Sequence, residues 1–306
     1  MQKAFPESLL EFEHWFRTEE ACRGYLAKLR WPEGFFCPHC GNGGAWRSRG
    51  ALYRCHGCRR DVSVASGTVF HRSRLPLKVW FRIAWWVTNQ KSGLNALGLQ
   101  RMLGLGSYET AWLSLQKLRR AMVRPGRELL TGEVEVDETW IGGVRRGGSY
   151  RENKALVAIA VEIRGPGIGR IRLKKVRDNS TQSLVPFVRN SVVAGATVVT
   201  DGLWPYRMLP QHGYLHRPTV LEGKGREASN AVLPRVHRVA SLMKRWMLGM
   251  HQAGINTDKI EPYLEEFTFR FNRRQSSSRG MLFYRLLQQC VDLGPTTLSD
   301  MTLKFD

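Results

Sequence analysis

The sequence is poor in acidic residues and has no long apolar run. Of its 306 residues, 26 are Asp or Glu and 47 are Lys or Arg, which gives a formal net charge of +21 and a pI of about 10.3. No apolar run approaches the ~20 residues that span a bilayer, and residues 1–32 lack the apolar core of a secretory signal. We therefore expect a cytoplasmic chain of two or three domains, with a polyanion as its partner.

Cysteine is also scarce, but its spacing is informative. Four of the six cysteines form two knuckles, Cys37-x-x-Cys40 and Cys55-x-x-Cys58, with fourteen residues between them. Two such knuckles supply four thiolates to one tetrahedral Zn²⁺ ion. Two disulfides or a redox motif are the alternatives, but disulfides need an oxidising compartment. The spacing predicts a zinc ribbon over residues 36–65 that binds structural Zn²⁺.

Positive charge is concentrated around and after the ribbon. Residues 45–91 contain ten Lys or Arg and a single acid, Asp61, a distribution typical of nucleic-acid binding. Aromatic residues are interleaved with this charge: Trp46, Tyr53, Trp80, Phe81, Trp85 and Trp86. The alternative is a solvated basic surface around a small core, and for the tryptophans we expect core packing rather than base stacking.

Helical periodicity precedes and follows the ribbon. Residues 1–35 hold two short helices that end near Pro32, and residues 75–123 form a helical block. Within the block we predict helices over 77–89, 94–103 and 108–122, with a glycine-containing break at 104–107. The break resembles a helix-turn-helix, although any three-helix bundle could produce the same pattern. The last helix would then present Tyr108, Glu109, Ser114, Lys117, Arg119 and Arg120.

The pattern changes to strands after Pro125. Segments rich in Val and Ile predict strands over 134–141, 154–163, 168–176 and 196–200, with helices over 181–193 and 233–250. Three strands, a helix, a strand and a helix is the order of the ribonuclease-H-like fold. We expect this α/β domain to cover residues 130–285, followed by a tail over 286–306, so that the whole chain is multidomain α+β.

Two carboxylates occupy informative places in that order. Asp137 lies within the first of these strands and Asp201 follows the fourth, and these two strands are central neighbours in the fold. Paired carboxylates suit two-metal phosphoryl transfer with Mg²⁺ or Mn²⁺. Because side chains alternate along a strand, Glu135 is a possible neighbour in the site and Glu138 should point away. The alternative is that Asp137 and Asp201 are unconnected surface or turn acids.

Several motifs together resemble a known family. They are EVDETWIGG at 135–143, TDGLWPY at 200–206, VH at 236–237 with KRWMLG at 244–249, and FTFRFNRR at 267–274. The chain is similar in these motifs, and in its zinc ribbon, to small bacterial insertion-sequence transposases of the acid-triad superfamily. The resemblance extends from the ribbon to about Arg285.

The resemblance implies a mechanism and a set of site residues. In this family, water cleaves one strand at each transposon end and the freed 3′-hydroxyl attacks target DNA. Most members place a Glu on the helix after the second Asp as the third metal ligand, and His237 occupies that place here. Imidazole is a softer ligand than carboxylate, so His237 could bind the second ion weakly, favour Mn²⁺, act through water, move protons or bind no metal. Glu222 and Glu227 are rival third acids.

Lys244 follows His237 by two helical turns and should share its face. The resemblance implies that it holds a terminal phosphate or the non-transferred strand, whereas lysines on helices are usually only solvated.

The C-terminal arginines Arg270, Arg273, Arg274 and Arg279 would suit DNA phosphates or would cap the domain.

The resemblance also implies partners and a location. We expect DNA, both transposon ends and target, as the partner, no membrane association, and a homo-oligomer that holds two ends together. A nucleoid-associated location would follow from DNA binding. Two other classes remain open: a DNA-binding regulator whose nuclease-like domain is inactive, and a metal-dependent nuclease without transposition activity.

Overall fold

The structure is a computed structural model and describes residues 3–90, 92–124, 126–142, 154–219, 233–251 and 256–296. These residues form two compact units. The first combines the residues up to Arg124 with those from Ser276 onward, and the second ends at Gln275. The domain boundary expected at residue 285 therefore falls within the first unit. No helix in the described ranges is both long and apolar enough to cross a membrane.

The first unit contains six helices among its described residues. They are α1 (Leu9–Trp15), α2 (Glu19–Arg30), α3 (Leu77–Asn89), α4 (Ala96–Leu103), α5 (Tyr108–Ala121) and the C-terminal helix α9 (Arg279–Asp292). Five of them begin after a residue whose side-chain oxygen accepts a backbone N–H of the first turn: Ser8, Thr18, Asn95, Ser107 and Ser278. Local caps at Asn95 and Ser107 explain why the helices predicted over 94–103 and 108–122 agree closely with the structure. The helix predicted over 77–89 also agrees, although it begins after Pro76 without a side-chain cap.

Aromatic side chains form the core of the first unit. Phe12 stacks on Trp85 with ring centroids 4.8 Å apart, and Phe16 meets Phe81 edge-on at the same distance. Phe283 of α9 lies 5.5 Å from both Phe12 and Trp85, which ties the C-terminal helix to the N-terminal ones. Trp80, like Trp85, is almost fully buried, so the predicted core role of these two tryptophans is confirmed. The same prediction is wrong for Trp46, which is 38% exposed.

The predicted exposed face of α5 is wrong at three positions. Ser114, Lys117 and Arg119 are buried, and the Arg119 guanidinium donates to the carbonyl oxygen of Leu94. The physical reason is that α5 packs against α3, α4 and α9, so little of its circumference reaches solvent. Tyr108 remains exposed at the start of the helix.

The zinc ribbon is a three-stranded antiparallel sheet in the order β1 (Ala45–Arg47), β2 (Tyr53–Cys55) and β3 (Asp61–Val62). Its small core contains Val62, Cys37 and Cys55, with Trp31, Phe35 and Cys58 packed against them. So little apolar area cannot stabilise a fold of this size alone, and a domain this small usually needs a metal.

The second unit is built on a five-stranded mixed sheet. Its strands are β4 (Glu133–Ile141), β5 (Ala155–Arg164), β6 (Gly167–Val176), β7 (Thr197–Thr200) and β8 (Leu215–Pro218), in the order β6-β5-β4-β7-β8. β4 is antiparallel to β5 and parallel to β7. The predicted order of elements is confirmed and is consistent with the ribonuclease-H-like fold.

Helices cover both faces of this sheet, because β5, the neighbour of the central strand β4, is apolar on both sides. Along β5, Val157, Ile159 and Val161 face α7 (Pro234–His251) and α8 (Glu261–Asn272). Leu156, Ala158 and Ala160 face α6 (Thr181–Ser191) and the 3₁₀ segment Trp204–His212. β4 is thus held in the middle of the domain, with helices above and below.

The arginine-rich end of α8 caps this unit. Asn272 accepts from the backbone N–H of Ile171 at 2.8 Å and donates to the carbonyl of the same residue at 3.2 Å, so it continues the ladder at the edge strand β6. Arg274 donates to the Gly169 and Ile168 carbonyls. Arg270 forms a buried ion pair with Glu266 at 2.6 Å. Of the two roles considered for this stretch, these contacts support capping.

Candidate active site and zinc centre

The four ribbon cysteines are arranged for a tetrahedral metal. All six cysteines of the chain are free, and the four ribbon sulfurs lie within 4.8 Å of one another. The Sγ atoms of Cys37 and Cys58 are 3.7 Å apart, and those of Cys40 and Cys55 are 3.6 Å apart. A disulfide would require ~2.05 Å, whereas four Zn–S bonds of ~2.3 Å in a tetrahedron place sulfurs ~3.8 Å apart. The donor set and spacing therefore fit structural Zn²⁺.

Asp137 and Asp201 are brought together by the pairing of β4 with β7. Glu133 pairs with Thr197 and Glu135 with Val199, an offset of 64 residues in each case. The same offset relates Asp137 to Asp201. Because the two strands are parallel, both carboxylates lie toward the same edge of the sheet, where ligands bind in open α/β folds.

The surroundings of Asp137 disfavour its negative charge. Burial raises the pKa of its carboxyl to about 7. The N–H of Glu138, which donates to Oδ1 at 2.8 Å, opposes this shift, the Asp201 charge adds to it, and the Lys244 ammonium opposes it. Asp201 in turn accepts from the backbone N–H of Leu203 at 3.0 Å. Two neighbouring carboxylates in a low-dielectric site fit a hard divalent cation, which would offset their mutual repulsion.

Glu138 points to the opposite face from Asp137, as predicted, but it has a partner that the sequence did not reveal. The buried Tyr206 hydroxyl donates to Glu138 Oε2 at 2.7 Å. Burial raises the pKa of Glu138 to about 7, and the charges of Asp137 and Asp201 act in the same direction. Tyr206 follows Asp201 by five residues, so this bond ties the segment after Asp201 to the strand that carries Asp137. The TDGLWPY motif contained the only signal for it.

Glu135 connects the central strand to α7. Its Oε2 accepts the backbone N–H groups of Arg235 and Val236, each at 2.9 Å, and its Oε1 accepts from the Arg235 guanidinium at 3.0 Å. The side chain is only 3% exposed. Helix N-termini have unpaired N–H groups and a partial positive charge, so a buried carboxylate there is well satisfied. Glu135, considered as a neighbour in the site, therefore anchors the helix that carries His237.

Lys244 also contacts the central strand. Its ammonium donates to Thr139 Oγ1 at 2.7 Å and acts electrostatically on Asp137. This contact places Lys244 on the face of α7 that meets β4, at the candidate site.

His237 is half-buried on α7, two turns before Lys244. Within the described ranges the cysteine quartet meets a 4.8 Å ligand spacing, whereas Asp137, Asp201 and His237 do not form a group that compact. A two-metal site does not require ligand atoms within 4.8 Å of one another. Its two ions are ~3.5–4 Å apart, so ligands of different ions lie further apart than ligands of one ion. The rival acids Glu222 and Glu227 lie outside the described residues.

Comparisons with known proteins agree with this architecture. Residues 129–272 match the family described as ISXO2-like transposase domain, and residues 17–61 match the transposase zinc-ribbon domain. The chain is 28% identical over 278 residues to "Uncharacterized protein in transposable element ISH50" of Halobacterium salinarum, across 83% of this chain and 91% of that protein. No solved structure gives a significant match. The first match contains all of the acidic site residues named above, and the second contains the four cysteines.

The Glu135 anchor should matter for stability. We expect Glu135→Ala to lower the free energy of unfolding of the second unit by about 3 kcal/mol, because Arg235 and two helix N–H groups lose a buried acceptor. The matched control is Glu133→Ala, since Glu133 pairs with Arg217 in a partly exposed position and should contribute at most about 1 kcal/mol. Urea unfolding measures both, and equal losses would contradict the anchoring role.

The raised pKa of Asp137 predicts a pH-dependent stability in protein free of Mg²⁺ and Mn²⁺. An unfolded Asp has a pKa of ~3.9, so between pH ~4 and ~7 the folded state binds the extra proton and its stability falls as the pH rises. Asp137→Asn lacks this loss, so its stability relative to wild type should increase by roughly 2–3 kcal/mol from pH 5 to pH 8. Asp258→Asn, at an exposed acid, serves as the control. A constant difference between wild type and Asp137→Asn would contradict the raised pKa.

Proposed function

The chain belongs to the ISXO2-like transposases that carry a transposase zinc ribbon, and we propose that it cleaves DNA at the ends of its element and joins them to target DNA. The observation that supports this most is the convergence of Asp137 and Asp201 at one edge of neighbouring parallel strands inside the matched domain. In this proposal both steps, hydrolysis and strand transfer, are phosphoryl transfers at one site.

The two aspartates would hold the catalytic cations. When bound there, Mg²⁺ or Mn²⁺ supplies activation of the attacking water or 3′-hydroxyl and stabilisation of the leaving oxygen. Asp137 and Asp201 provide the hard oxygen ligands that these ions prefer. Asp137, whose pKa is raised by burial, must release its proton for this role, so cation binding should strengthen as the pH rises towards 7.

His237 and Lys244 would complete the site from α7. We assign His237 to the second ion, where its neutral imidazole suits Mn²⁺ better than Mg²⁺. Lys244, which donates to Thr139, would hold a phosphate oxygen of the DNA strand being cut. Neither role requires movement of the helix, because Glu135 fixes its N-terminus to β4.

DNA as the partner is supported by the zinc-ribbon and transposase domains and by the net charge of +21. Joining both ends of an element at one target requires two active sites, so the working assembly in this proposal is a dimer or larger homo-oligomer.

The first test is the removal of each aspartate. Asp137→Ala and Asp201→Ala should each abolish strand cleavage and joining, while binding to end DNA stays within about threefold of wild type, because the carboxylates bind cations and not the duplex. The assay uses purified protein with Mg²⁺ or Mn²⁺ and DNA that carries the ends of the element encoding it. Asp258→Ala removes an exposed acid of the same unit and should leave joining intact.

The same assay separates the alternatives. Joined products that vanish in both variants support the transposase. Cleavage of DNA without element ends, and no joining, would identify a nuclease, and tight binding with no chemistry would identify a regulator. Wild-type cleavage by either variant would mean that the carboxylate assignment is wrong.

His237 needs a separate comparison. If position 237 binds the second ion, His237→Glu should retain joining and shift the preferred ion from Mn²⁺ towards Mg²⁺, whereas His237→Ala should lose at least about tenfold in rate with both ions. The measurement is the joining rate against the concentration of each ion, with direct titration of Mn²⁺ binding as a readout independent of activity. Identical ion preferences in all three proteins would place His237 outside the metal shell.

A further inference from the structure

The zinc ribbon has one buried face and one exposed face. Register places Trp46 opposite Arg54, and Arg54 opposite Asp61, so these three side chains share a face. The other face carries Tyr53, which stacks near Phe35 in the ribbon core. Trp46 is 38% exposed. An exposed tryptophan on a small sheet needs an explanation.

The second knuckle adds an arginine to this face in an unusual conformation. The residue after the first knuckle is Gly41 with φ +71°, and its counterpart after the second is Arg59 with φ +58°. Glycine adopts this left-handed region without a Cβ clash, so an arginine there is disfavoured by the backbone. Strained residues of this kind cluster where a side chain has a function.

The Arg59 side chain is ordered by Trp46. Its guanidinium carbon lies 5.0 Å from the centre of the Trp46 ring, and the His56 ring stacks on the same indole at 5.0 Å and 28°. His56 fits there because it packs over Gly44, where a Cβ would lie only 3.0 Å from the imidazole. The three side chains form an exposed stack, which we call the Trp46 platform. An arginine already held in place loses less entropy when it binds an anion.

The charges on this face determine the class of partner. Arg54 is neutralised by a two-pronged contact with Asp61, at 2.8 and 2.7 Å. Arg59 and the adjacent Arg60 are exposed, and neither has an ion pair with a carboxylate in the described ranges. A planar guanidinium with free N–H groups matches the oxygens of a phosphate diester. DNA phosphates are favoured over an acidic protein surface, because the chain has a net charge of +21 and matches a transposase domain.

We propose that the Trp46 platform is a docking surface for the phosphate backbone of duplex DNA, with Arg59 as the phosphate contact and Trp46 as the residue that positions it. This inference rests on the proposed function only in its choice of DNA as the polyanion. It assigns the ribbon a direct DNA contact in addition to a structural role.

Arg59→Gly tests the contact without disturbing the fold, because glycine relieves the backbone at φ +58°. It should retain one Zn²⁺ per chain, weaken binding to duplex DNA about three- to tenfold, and reduce the slope of log K against log salt by about 1, the value for one lost phosphate contact. Trp46→Leu should weaken binding with a smaller change in slope, because the charge of Arg59 remains. Arg17→Gly, which removes an exposed arginine elsewhere in the first unit, is the matched control.

The outcomes separate this inference from the proposed function. Equal slopes for wild type and Arg59→Gly would overturn the platform as a DNA contact, even if joining proceeds. An equal loss of slope in Arg17→Gly would mean that only total charge matters. A changed oligomeric state of Arg59→Gly in sedimentation, with unchanged DNA binding, would assign the platform to a protein partner. A reduced slope in Arg59→Gly alone supports the platform whether or not the wild-type protein joins DNA.

Discussion

The candidate active site depends on how one helix is fixed to one strand. Glu135 binds the first turn of α7 at Arg235 and Val236, and Lys244 binds Thr139 further along the same pair of elements. Four strand residues advance ~13 Å, and the eight or nine helical residues between the two contacts advance about the same distance. The two contacts are therefore separated by about the same distance on the strand and on the helix, and together they fix the position of α7 along β4. Asp137 lies at the midpoint of the strand segment between the two contacts, and Lys244 acts on it electrostatically.

This arrangement separates the motif residues that hold elements together from Asp137, which faces the candidate site. In EVDETWIGG, Glu135 and Thr139 bind α7, Glu138 binds Tyr206, and only Asp137 is left to face the site. The FTFRFNRR stretch likewise seals the β6 edge through Asn272. When a buried carboxylate or amide that joins two elements is removed, its partners are left as unpaired polar groups. A structural role is therefore sufficient to explain several of these motif residues.

The sequence predicted what local rules determine. Caps and periodicity gave the helices of the first unit, and β-branched runs gave the strands of the second. The Asp137 and Asp201 pair followed from element order, because neighbouring parallel strands bring their ends together. Hydrogen bonds between residues far apart in the sequence could not be predicted. Glu138 and Tyr206 are 68 residues apart and Glu135 and Arg235 are 100 apart, and no periodicity connects either pair. The face of α5 was misjudged for the same reason, since its neighbours in space decide which polar side chains are buried.

The scarcity of acids has a structural consequence. Several of the acids in the second unit are committed to internal arginines, as in the pairs of Glu135 with Arg235, Glu162 with Arg170 and Glu266 with Arg270. Acids used in this way leave few to offset the arginines and lysines at the surface, which suits a DNA partner. The site itself is the exception, because Asp137 and Asp201 would repel an approaching phosphate. In the proposed function, a divalent cation between them would neutralise the two carboxylates and remove this repulsion, so DNA attracted by the surface would bind at the site together with metal.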